Sequence, residues 1–151
     1  MDYIIKSIGI VKSPVTEGVD HNWGEVTSEI ELEEQYTDGL EGLDKFTHVI
    51  VVFYLHQASF VAGTDLKRRP QGREDMPMVG IFAQRAKHRP NPIGLTTVEI
   101  VGVQQNKVIV KGLDAIDGTP VLDIKPYYPV YDMKNGSQTP EWVDILMKDY
   151  F

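Results

Sequence analysis

The segment Arg85-Ala-Lys-His-Arg-Pro-Asn-Pro-Ile-Gly-Leu95 packs cationic and amide side chains between two fixed backbone points. Pro90 and Pro92 each remove a backbone N–H and fix φ, and they push Arg89 and Asn91 toward extended conformations. The product is a stiff, non-helical loop that presents Arg89 and Asn91 with little entropy left to lose on binding. The same loop could simply close one end of a barrel, with Gly94 allowing a sharp entry into the next strand. A second stretch, Asp114-Ala-Ile-Asp-Gly-Thr-Pro-Val-Leu-Asp-Ile-Lys-Pro-Tyr-Tyr128, bends at Asp117-Gly118. Asp123 and Lys125 share one strand face beyond that bend, where an ion pair and a ligand contact are equally open. His56-Gln57, at the exit of an apolar run, is a third polar cluster at a strand end.

Other chemistries are poorly supported. His21, His48, His56 and His88 have no i, i+4 spacing and no neighbouring acid in a metal motif, so no structural or catalytic metal is expected. With no cysteine there is no disulfide, thiolate nucleophile or Cys-ligated zinc. No Gly-x-Ser-x-Gly turn points to a hydrolase, and no Gly-x-Gly-x-x-Gly follows a strand.

The elements that must carry these stretches read mostly as strands. Tyr3 to Val11 is rich in Ile and Tyr, and Glu25 to Leu32 alternates with the period of a half-exposed strand. Thr47 to Leu55 is β-branched, aromatic and nearly continuous, as in a buried central strand. Met78 to Gln84, Gly94 to Gln104, Lys107 to Leu113 and Thr119 to Lys125 complete the set. A short helical turn fits Gln35 to Leu43. A final helix is expected after Thr139, with Thr139 as N-cap and Pro140 at the first helical position. Hairpin-type connections without βαβ alternation predict a mainly β fold, a single-sheet antiparallel β-barrel with a few short helices, one at the C-terminus.

The 151 residues suit one domain, expected to span 1–151 without a C-terminal extension. The longest apolar run, Val49 to Leu55, is far short of the roughly 20 residues that a membrane helix needs. The start carries no secretory pattern, so the expected compartment is the cytoplasm. Net charge is −7, yet all five arginines fall between Arg68 and Arg89. From Lys67 to Arg89 seven bases face two acids, a local +5 within a chain whose remainder sums to −12. Such a segment is either a solvated face or an anion-docking site, the latter favoured by the bidentate geometry of Arg.

Three strings together identify a resemblance: Gly80-Ile-Phe-Ala-Gln-Arg85, Arg89-Pro-Asn-Pro-Ile-Gly-Leu95 and Asp117-Gly-Thr-Pro-Val-Leu-Asp-Ile-Lys-Pro-Tyr127. With Ile8-Gly-Ile-Val-Lys-Ser-Pro14, Gly42-Leu-Asp-Lys-Phe-Thr-His48 and His56-Gln57, they resemble the TsaA-like family of tRNA methyltransferase O proteins over about residues 3–132. Asp20-His21-Asn22-Trp23 stands where many bacterial relatives have a Pro-Arg-Gln-Pro-type segment.

The resemblance implies a barrel that binds S-adenosyl-L-methionine, forms a homodimer, and methylates N6 of threonylcarbamoyladenosine beside the anticodon of tRNA. The cofactor contacts that it implies are Asp20, His21, Asn22, His56, Gln57, Arg85, Leu95, Leu113, Asp114, Ala115, Ile116 and Asp117. Arg85 is the expected cation for the cofactor carboxylate, Leu95 and Phe82 the apolar walls, and His56 and Asp117 the candidate bases. Lys67, Arg68, Arg69 and Arg73, read as a mobile loop, together with Lys87, Arg89 and Asn91, would grip RNA. The alternatives are a cofactor-binding sensor or interaction module without catalysis, and a methyltransferase for another RNA or a small substrate.

Overall fold

Alternating β-branched and polar residues put one side of each strand inside and the other outside. The computed structural model describes residues 1–151. Its strands are β1 (Gly9–Lys12), β2 (Thr27–Leu32), β3 (His48–Tyr54), β4 (Lys67–Arg68), β5 (Val79–Gly80), β6 (Ile93–Gln104), β7 (Lys107–Lys111) and β8 (Pro120–Pro126). Six of them close an antiparallel barrel in the order β1-β2-β7-β6-β3-β8, with β8 returning to β1. Closure leaves no free sheet edge. Val11, Ile30, Val49, Val51, Val108, Val110 and Val121 fill the interior and are fully buried. The central-strand reading of Thr47 to Leu55 holds: β3 lies between β6 and β8.

Gly94 serves packing more than a sharp strand entry. A Cβ there would sit 2.4 Å from Cε2 of the buried Phe53 ring, so only glycine lets the aromatic lie flat against β6.

Four expectations are corrected. The strand expected over Tyr3 to Val11 shrinks to Gly9–Lys12: Ile8 still bonds to Val121 and Glu33, while the residues before Ser7 make no backbone bond to the barrel. Tyr3, Ile4 and Ile5 stand exposed despite their β propensity. Met78 to Gln84 is not a barrel strand: only Val79–Gly80 pairs, with Lys67–Arg68, and a 3-10 turn follows at Ile81–Ala83. The segment from Lys67, expected as a loop, is thereby folded into a small ribbon. Buried Met76, Ile81 and Gln84 seat it, and Gln84 Nε2 donates to the carbonyls of Arg68 and Val79 at 3.1 Å each. The last helix begins one residue later than expected, at Glu141, with Pro140 in the cap position and no side-chain cap from Thr139.

The helices α1 (Ala62–Asp65), α2 (Pro129–Asp132) and α3 (Glu141–Met147) are short, and none is long and apolar enough to cross a membrane. The turn expected at Gln35 to Leu43 forms as two 3-10 turns, Glu34–Leu40 and Leu43–Lys45, whose Leu40 and Leu43 plug one barrel end.

Candidate functional site

Strand direction decides what gathers at the other end. The exits of β1, β3 and β7 and the entry of β6 all open there, so residues 13–26, 55–59, 85–92 and 112–119 form its rim. The two chemistry-bearing stretches therefore meet. The register that pairs Glu99 with Lys111 runs on past β7 and sets Thr96 beside Asp114, whose Oδ1 accepts from Thr96 Oγ1 at 2.5 Å. One residue before Thr96, the Leu95 carbonyl accepts from Arg85 Nη2.

A residue absent from the sequence reading completes this centre. The Tyr150 hydroxyl donates to Asp114 Oδ2 at 2.5 Å. Burial pushes this phenol far above its usual range, and the carboxylates of Asp114 and Asp20 push it further while Arg85 opposes them. One phenol thus feels Asp20, Arg85 and Asp114 together, and it stays protonated as a donor throughout the ordinary pH range. No motif or periodicity marks Tyr150: it follows α3 by chain distance and reaches the site only through tertiary folding.

The remaining residues divide by what they can offer. Leu113 and Ala115 are buried in the barrel core, so only their main chain is free to meet a ligand, while Ile116 gives its carbonyl to Thr119 Oγ1 at 2.7 Å. Asp117 Oδ1 accepts from the Ser13 N–H at 3.0 Å, which ties the β1 exit to the bend and leaves the other oxygen uncommitted. Asp20, His21 and Asn22 are exposed on a loop pinned by Trp23, which is 2% exposed and donates from Nε1 to the Val19 carbonyl at 3.0 Å. His56 and Gln57 are exposed at the β3 exit. His88 Nδ1 meets Ser59 there, joining that turn to the proline loop. Leu95 is half exposed, and Phe82 projects into solvent from its 3-10 turn.

Several of the clustered bases do structural duty. Arg68 pairs with Asp65 at 3.1 Å, Arg69 caps the Met76 carbonyl, and Arg73 forms a two-pronged pair with Asp75. Arg89 folds back on the carbonyls of Gln84 and Ala86 at 3.0 and 3.2 Å. Lys67 and Lys87 have no acidic partner, and the amide of Asn91 is exposed. Lys125 and Asp123 form an ion pair at 2.8 Å, one of the two outcomes their spacing allows. Two clefts of about 570 and 400 Å³ lie at the plugged end, the larger one walled by Phe46 stacked on Tyr128.

The model of the tRNA-methyltransferase O N-terminal domain matches residues 17–133. The chain belongs to this family. Within it, the chain is 40% identical over 136 residues to an S-adenosyl-L-methionine-binding protein of Archaeoglobus fulgidus, covering 87% of this chain and 94% of that one. It is 38% identical over 135 residues to the tRNA (adenine(37)-N6)-methyltransferase of Escherichia coli, covering 82% of this chain and 57% of the enzyme. A crystal structure of TrmO from Pseudomonas aeruginosa superposes with a TM-score of 0.73 at 31% identity, over 91% of this chain and 62% of that one. The chain thus spans less than two thirds of the length of the E. coli and P. aeruginosa family members.

Proposed function

We propose that this chain is an S-adenosyl-L-methionine-dependent methyltransferase acting on N6 of threonylcarbamoyladenosine beside the tRNA anticodon. Family membership and the names of the A. fulgidus and E. coli relatives support the cofactor and the substrate class. The observation that carries the reading is the convergence of Arg85 and Asp114 at one barrel rim, Arg85 on the Leu95 carbonyl and Asp114 on the neighbouring Thr96 and on Tyr150. These residues suit the cofactor chemically. The exposed Arg85 guanidinium has donors to spare for a carboxylate. Asp114, with one donor on each oxygen, keeps lone pairs for an ammonium or ribose hydroxyls. Leu95 and Phe82 provide exposed apolar surface for an adenine.

When bound, S-adenosylmethionine supplies an electrophilic methyl group on a sulfonium. The chain's own contribution is alignment and proton removal. Held reactants can gain up to roughly 7–11 kcal/mol from orientation. A base that takes the proton from the carbamoyl-bearing nitrogen adds about 10²–10⁴-fold. We assign that step to His56 or to the uncommitted oxygen of Asp117, both exposed on this rim. The anticodon loop is already unpaired, so presenting its base costs little. Lys67 and Lys87 carry the phosphate contacts, with Arg68, Arg69, Arg73 and Arg89 shaping the surface between them and Asn91 beside it. The reading includes a homodimer, with the exposed Ile93 and Val101 of β6 as apolar surface for the second copy. A tRNA substrate places the protein in the cytoplasm.

The A. fulgidus relative is named only for binding the cofactor, which favours a second reading: a cofactor-binding module without catalysis. Mass spectrometry of tRNA nucleosides from cells lacking the protein separates the two. The proposal predicts loss of the methylated form of threonylcarbamoyladenosine and its return on complementation. An unchanged nucleoside profile, with cofactor binding intact in the purified protein, overturns the tRNA substrate and supports either the second reading or a methyltransferase for another substrate.

A further inference from the structure

We infer that Tyr150 is a positioning residue of the donor site, orienting the Asp114 carboxylate from a segment that also clamps the 20–24 loop; this rests on the cofactor reading above. Tyr150 lies outside the span 17–133 matched by the family. The chain carries it there by pairing: the N–H groups of Asn22 and Trp23 donate to the carbonyls of Asp149 and Tyr150, each at 2.8 Å. Gly24 permits the approach, since a Cβ on it would stand 2.7 Å from the Phe151 carbonyl carbon.

The consequence for Asp114 is geometric. A carboxylate rotates broadly about its last torsion unless donors fix its plane. Thr96 holds one oxygen from β6 and Tyr150 holds the other, so the plane is set by two elements distant in sequence. Each oxygen keeps a lone pair for a ligand. The same segment fixes the loop bearing Asp20, His21 and Asn22, so one short run of chain organises two parts of the rim. Only the phenol hydroxyl does the first of these jobs, whereas the backbone pairing does the second.

Calorimetric titration with S-adenosyl-L-methionine tests this in the full chain and in Tyr150→Phe, Gly24→Ala, Asp114→Asn and the Tyr150→Phe/Asp114→Asn double variant. Tyr150→Phe is expected to weaken binding about tenfold, because Asp114 is no longer held in its plane for the ligand, and to lower the melting temperature by only about a few degrees for the lost hydrogen bond. Gly24→Ala, which pushes the segment away, weakens binding in the same direction. In the Asp114→Asn background the Phe substitution adds less than about twofold, because the two act through one carboxylate. A purely structural role would not produce that coupling. Unchanged or tighter binding in Tyr150→Phe and Gly24→Ala, beside a wild type that binds, overturns the inference alone; tighter binding would make the segment a competitor for the site. Multiplying effects in the double variant also overturn it. A wild type that does not bind overturns both this inference and the cofactor reading.

Discussion

Asp114→Asn is expected to weaken S-adenosyl-L-methionine binding roughly thirtyfold, about 2 kcal/mol for a charged acceptor lost from a polar site. The asparagine offers one carbonyl where the carboxylate has two acceptor oxygens. Thr96 and Tyr150 both donate to this residue, so the new NH₂ must face one of those donors and turn the side chain off its plane. The charge that would meet the cofactor's ammonium is lost as well. The matched control is Asp123→Asn, at a carboxylate that pairs with Lys125 and lines the smaller cleft at the plugged end, and it should leave affinity unchanged. Calorimetry on the two variants decides the point. Equal affinities would mean that Asp114 is a structural tie only.

Trp23→Ala carries the largest expected cost in stability. The indole is almost wholly buried, and its Nε1–H donates to the Val19 carbonyl at 3.0 Å. Truncating a buried Trp typically costs about 3–5 kcal/mol. In a domain of this size that lowers the melting temperature by on the order of 10 °C. Because the Trp23 backbone N–H donates to the Tyr150 carbonyl, a loop that loses its indole anchor should loosen together with the 149–151 segment. Hydrogen exchange would then rise at Asn22 and Trp23 before the barrel strands. A melting temperature within about 2 °C of the wild type would show that the indole does not anchor this loop.

What could be read from sequence followed from periodicity and rigid chemistry. The β2 alternation of Ser28, Ile30 and Leu32 turned inward as its spacing dictates, and the run from Val49 became the strand with barrel partners on both sides. The two prolines and the Asp117-Gly118 bend marked segments that share one rim, since strand polarity sent their ends the same way. Tyr3 to Ile5 misled because β propensity says nothing about whether a partner edge exists. Met78 to Gln84 misled because a short apolar run fits a ribbon and a 3-10 turn as well as it fits a strand. The arginines looked free because sequence does not reveal backbone carbonyls: Arg69 and Arg89 spend guanidinium donors on Met76, Gln84 and Ala86. Tyr150 was invisible for a related reason. Its partner Asp114 lies 36 positions earlier, and only the closed barrel brings them into contact.

The most direct test of the account is backbone amide chemical-shift mapping during titration of the labelled protein with S-adenosyl-L-methionine. The moving amides should cluster at 20–24, 56–57, 85, 94–96 and 113–118, with Tyr150 among them. The cleft lined by Phe46, His48, Tyr127 and Tyr128 at the plugged end should stay still. Shifts confined to that cleft, with the Asp114 rim unmoved at saturation, would contradict it.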